Sequence, residues 1–173
     1  MKLAARLETY SSPGPNPWDD TLGPHLPLNH VICRDIDGTA HTVQEFIWPW
    51  NAYTKDHRRL ILHFYYWNKA RGPRIGSVEV SEEREGRIRE LQFLMALQIY
   101  YGNENAPKTL EGKLSLLHHL ARFAEEHSCT VKGLLTDTSL LDAYGATLPD
   151  YRLNYWRSWL NFLRQLNLAQ LGF

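Results

Sequence analysis

Ser81 to Leu166 carries apolar residues at the three- and four-residue intervals of amphipathic helices, broken by short polar turns. Four helices are expected there. The first begins near Ser81, whose hydroxyl caps free amides, with Glu82, Glu83 and Glu85 at the positive end of the helix dipole; it stops near Tyr101, ahead of Gly102. Ile88, Leu91 and Met95, with the Leu94, Leu97 and Tyr101 row, form its apolar faces. The second runs from Lys108 or Thr109 to about His127, with Leu110, Leu114, Leu117, Ala121 and Ala124 in one stripe and Ser115, His118, His119 and Arg122 opposite. A short third helix covers Ser139 to Tyr144 and ends at Gly145. The fourth spans about Pro149 to Leu166, with Leu153, Trp156, Leu160 and Leu163 inward.

The first eighty residues follow a different rhythm. Ser11 to Pro17 and Gly23 to Pro27 are rich in Pro, Gly and Asn and predict an irregular arm. His30 to Asp35 and Thr39 to Phe46 alternate on either side of Asp37-Gly38, a dipeptide that tolerates the positive φ of a tight hairpin turn. Leu60 to Trp67 fits a third strand or a short helix. The expected organisation is a β-hairpin-containing arm over 1–80 and a helical domain over 81–173.

With 173 residues, 43% of them apolar, the chain is long enough to bury an ordinary core. No apolar run approaches the roughly 20 residues of a membrane span, and Met1 to Tyr10 lacks a signal-peptide core. A cytoplasmic protein without a membrane partner is expected, with Cys33 and Cys129 reduced. The 19 basic and 19 acidic side chains balance, but not evenly. Lys55 to Arg74 holds six basic residues and one acid, net +5, interleaved with Phe64, Tyr65, Tyr66 and Trp67. Such a mixture suits phosphate contacts with stacking side chains, although the aromatic run is equally what a core strand would carry.

Three short constellations suggest other chemistry. Asp35-Ile36-Asp37-Gly38-Thr39 matches the DxDGT loop of haloacid-dehalogenase-like phosphatases, in which Asp35 would be nucleophile and Asp37 general acid. Arg34 stands where that family has an apolar residue, and no strand–helix alternation follows. A hairpin turn explains the same residues. His30-x-x-Cys33 with His127-x-Cys129 offers four zinc-type ligands, but the second spacing is tighter than usual, and no metal site is expected. His118-His119 with Glu125 or Glu126 lacks a placed nucleophile, since adjacent helical residues diverge by about 100°.

The helical half resembles a known family. KTLEGKLSLLHHLARFAEEH (Lys108 to His127), LLTDTSLLDAYG (Leu134 to Gly145) and LPDYRLNYWRSWLNFLRQLN (Leu148 to Asn167) are similar to the SAM-like core-binding domain of phage integrases and other tyrosine recombinases. The resemblance covers roughly Ser81 to Asn167. It implies a mainly α fold, a four-helix SAM-like bundle that lies across duplex DNA with its second and fourth helices against the grooves and phosphates. It further implies double-stranded DNA and other recombinase protomers as partners, and neither a cofactor nor a small-molecule substrate.

By position, the implied DNA contacts are Lys108, Thr109, Lys113, His119 and Arg122 on the second helix and Tyr151, Arg152, Tyr155 and Arg157 on the fourth. Lys69, Arg71 and Arg74 in the +5 segment are further candidates. Lys113 falls near the border of the apolar stripe, where its stem would snorkel along the core. The family's tyrosine nucleophile belongs to a later domain; after Leu166 only Asn167 to Phe173 remain, so no catalysis is expected of this chain. A helical protein–protein interaction module presenting Trp156 and Trp159 is the alternative from another class.

Overall fold

The computed structural model describes residues 26–54, 60–67, 80–102 and 106–166. Two hairpins precede five helices in that set. Strand β1 (Val31–Arg34) pairs antiparallel with β2 (Ala40–Thr42), in the register Val31 to Thr42, Cys33 to His41 and Arg34 to Ala40, with an irregularity between Val31 and Cys33. The connecting turn is built as its sequence predicts. Asp35 Oδ1 accepts from the amides of Asp37 (3.0 Å) and Thr39 (2.8 Å), and Gly38 takes φ 85°, a conformation that a side chain would oppose. Strand β3 (Ile47–Pro49) pairs antiparallel with β4 (Ile61–His63). The alternating stretch over Thr39 to Phe46 is therefore a short strand and a turn, and the run from Leu60 begins with a strand.

The helices are α1 (Glu82–Tyr101), α2 (Pro107–Glu126), α3 (Val131–Thr136), α4 (Thr138–Ala146) and α5 (Asp150–Gln165). Five stand where four are expected, because Val131 to Thr136 forms a helix of its own. At six residues it is too short for periodicity to show, and its free amides are met partly by its own cap and partly from α1. Thr130 Oγ1 accepts from Gly133, while the Glu90 carboxylate on α1 accepts from Val131 (2.7 Å) and Lys132 (3.3 Å). Asp137 caps α4 through the amides of Ser139 and Leu140. Gly145 lies inside that helix, which continues to Ala146.

Helix α1 is the centre of the molecule. From Leu91 to Ile99 every residue is buried, so this stretch has no solvent face, as a helix covered on all sides should not. One hydrophobic cluster joins its Leu91, Leu94 and Leu97 to Ile32, Trp48, Leu62 and Phe64 of the hairpins and to Leu117, Leu120, Tyr144, Trp156 and Trp159 of the other helices. Burying each of the large side chains contributes about 2 kcal/mol. Buried Gln92 ties the hairpins to α1: Nε2 donates to the carbonyls of Val43 (2.9 Å) and Glu45 (2.8 Å), and Oε1 accepts from Arg89. Arg89 also donates to the carbonyls of Val43 and Gln44. A Gln92→Leu variant, which strands buried carbonyls, is expected to lose about 3 kcal/mol in urea denaturation.

A second tie joins β4 to α2, and it moves His118 from the expected outer face into the interior. The apolar face of α2 extends further around the helix than its Leu and Ala stripe suggests, because the second hairpin covers it. His118 Nε2 donates to the His63 carbonyl at 2.7 Å, the two rings lie 5.0 Å apart, and Arg122 donates to the Tyr66 carbonyl at 2.7 Å. Burial, helped by the neighbouring His63, drives the His118 pKa down from 6.5 to about 4, and burial lowers His63 as well. The folded chain thus favours neutral His118, and its contribution is complete above pH 6.5. That contribution fades as pH falls from 6.5 to 4, by about 3 kcal/mol at most. Urea midpoints at pH 7 and pH 4.5 should differ more for the native chain than for His118→Gln; equal differences would contradict this.

Candidate functional site

The exposed side of α2 carries Lys108, Gly112, Ser115, His119 and Arg122, spaced at four, three, four and three residues so that they form one row. Helix α5 lies beside the first half of that row. Between them runs a groove of about 450 Å³, lined by Lys108, Thr109, Gly112, Ser115 and Leu116 of α2 and by Tyr151, Arg152 and Tyr155 of α5. Five of the nine helix residues implied as DNA contacts are therefore brought together: Lys108, Thr109, Tyr151, Arg152 and Tyr155.

The groove's shape follows from Tyr155. Its hydroxyl donates to the Thr109 carbonyl at 3.2 Å, and its ring is accepted close to α2 because residue 112 has no side chain. A Cβ at Gly112 would lie 3.2 Å from the Tyr155 oxygen. Tyr151 stands 73% exposed at one wall, with the Arg152 guanidinium 5.9 Å from its ring centre. Lys108 is also exposed, so the groove offers two cations and two phenol rings to a ligand.

The other candidates are placed differently. Lys113 is buried, 8% exposed, with its ammonium 4.3 Å from the Tyr155 ring centre and 6.0 Å from that of Trp159. Burial lowers its pKa to about 8. Arg122 is engaged by the Tyr66 carbonyl, and His119 packs 5.5 Å from the Tyr144 ring, further along the row than the groove reaches. Arg157 is exposed but lies two residues beyond Tyr155, about 200° around α5, and so faces away from the groove. Lys69, Arg71 and Arg74 lie outside the described residues. Gly112, Ser115 and Leu116 complete the groove without having been singled out as contacts; the row spacing with Lys108 was the available signal.

No match comes from comparison with protein-family models, with curated proteins or with solved structures. The chain's own geometry is therefore what bears on function.

The rival constellations have structural employment. The two described sheets are two-stranded and antiparallel, unlike the doubly wound sheet that a DxDGT phosphatase needs. Burial pushes the Asp35 carboxyl up, but the Thr39 and Asp37 amides and His41 outweigh it and hold the group below its usual range. It is a turn cap. His30 shares a 2.8 Å hydrogen bond with the Tyr100 hydroxyl, burial pushes the Cys33 thiol up to about 12, and His127 stacks on Phe123. Among the described residues no cluster of three or more His, Cys, Asp and Glu is placed to hold a metal. Trp156 and Trp159 are 2% and 1% exposed, so they are core and present no docking face.

A second hollow of about 450 Å³ lies where α1, the end of α2 and the start of α3 meet. Its polar groups are committed to the fold. Glu125 pairs with Arg84 at 2.8 Å, Glu90 caps α3, and Arg87 donates to the Cys129 carbonyl at 2.9 Å. Replacing Gly112 by Ala should push Tyr155 outward by a few tenths of an ångström, the loss of about 1 kcal/mol at its bond to Thr109 offsetting the similar gain in helix propensity, whereas Tyr155→Phe should lose about 1 kcal/mol without moving the ring. Thermal denaturation of the two variants, with the fluorescence of the neighbouring Trp159 as a packing probe, checks both.

Proposed function

We propose that this chain is the DNA-binding, non-catalytic N-terminal region of a site-specific tyrosine recombinase, and that the α2–α5 groove holds a phosphate of the duplex backbone. The observation that carries the reading is the convergence of Lys108 and Arg152 with Thr109, Tyr151 and Tyr155 on one groove between the two helices that the family resemblance assigns to DNA. Lys108 supplies a mobile point charge and Arg152 a planar fork with several donors, a combination suited to a phosphate's oxygens. Exposed Tyr151 adds an aromatic face and a hydroxyl. Contacts of this kind set affinity and position and leave sequence choice to base-edge contacts elsewhere.

The reading predicts modest, salt-sensitive binding, because few cations face the groove and the helical half is nearly neutral overall. Anisotropy of a labelled duplex titrated with the chain should show affinity falling steeply between about 50 and 200 mM salt. Lys108→Ala with Arg152→Ala should weaken binding at low salt and flatten the slope of log affinity against log salt by about 2. Arg157→Ala, on the opposite side of α5, should change neither quantity by as much. Salt-independent binding, or equal losses from Arg157 and from the groove pair, would contradict the assignment.

A further inference from the structure

We infer that oxyanion binding in the α2–α5 groove is coupled to a proton on Lys113, which acts as a buried counter-charge carried on the face of Tyr155. The inference rests on the groove being a phosphate site. Tyr155 is the shared element: it lines the groove, its hydroxyl is fixed to Thr109, and the Lys113 ammonium lies 4.3 Å from its ring centre. Lys113 does not line the groove, so it acts across the ring. It is a positioning charge and not a ligand.

The environment of Lys113 makes that charge conditional. Its neighbours on α5 are the Tyr155 phenol and the Trp159 indole. The Trp159 Nε1 is itself buried without a hydrogen-bond acceptor, so both side chains bring donors and neither brings an anion. The charged side chains that line the neighbouring groove, Lys108 and Arg152, are both cations. Burial lowers the lysine's pKa to about 8. Aromatic rings stabilise an ammonium partly, through their electron-rich faces. A phosphate or sulfate one ring away supplies the missing negative charge through a medium of low dielectric, where it acts strongly. Binding then draws a proton onto Lys113, and deprotonating Lys113 weakens binding by the same linkage.

Inorganic sulfate is the probe, since its charge is constant over the range in which the lysine titrates. With Lys ε-carbons and Arg δ-carbons labelled in the full chain, the Lys113 titration should move up by about one unit when sulfate saturates the groove, a tenfold coupling. Sulfate affinity of the native chain should fall about fivefold between pH 7 and pH 9 for a one-unit shift, while Lys113→Met should bind more weakly and almost independently of pH in that range. Sulfate that shifts the Lys108 and Arg152 resonances and leaves the Lys113 titration in place would overturn the coupling but preserve the groove as an anion site. Sulfate and duplex that both leave Lys108 and Arg152 unperturbed would overturn the groove reading and the coupling with it.

Discussion

The fold depends on one helix that has no outside. Between Leu91 and Ile99 α1 is covered on every side, and the elements around it are fastened by the few polar groups that this helix carries into the interior. Gln92 and Arg89 hold the Val43–Glu45 turn, Glu90 supplies the amide acceptor that lets a six-residue α3 exist, and Arg87 holds the Cys129 carbonyl. A buried polar group is costly unless its partners are in place, so these ties are specific as well as stabilising. They set the directions in which hairpins and helices approach the core. Helices α2 and α5 occupy what remains, and their exposed edges form the groove.

Much of this was legible in the sequence. Helices α1, α2, α4 and α5 appear within a few residues of their expected limits because caps and breakers mark them: Ser81 and Gly102 around α1, Asp137 ahead of α4, Pro149 ahead of α5. The Asp35–Thr39 turn was legible for the same reason, since its chemistry is local. Helix α3 was not, because six residues are too few for periodicity and, besides its local cap Thr130, it relies on Glu90, forty-one residues before Val131 in the chain. Strand β3 was hidden by its three-residue length and by Pro49, which cannot donate to a ladder.

The candidate site divides along the same line. Residues on the solvent side of the α2 and α5 patterns, Lys108, Thr109, Tyr151, Arg152 and Tyr155, line one groove. His118 is misjudged from α2 alone because the β3–β4 hairpin comes over that helix and buries it, and the segment after β4 engages Arg122 through the Tyr66 carbonyl. Lys113 is the informative intermediate. Its border position in the stripe predicted a snorkelling stem, yet the aromatic pair on α5 covers the ammonium as well, which turns a presumed contact into a buried charge beside the groove.

The central claim is that a duplex backbone lies in the groove between α2 and α5. Amide and side-chain shift mapping on the labelled chain with unlabelled duplex tests it most directly. The account predicts perturbations concentrated at Lys108 to Ser115 and Tyr151 to Tyr155, diminishing as salt is raised. Perturbations centred on the α1–α3 hollow around Arg87 and Thr130, on Arg157 and Arg164, or on no contiguous surface at all, would contradict it.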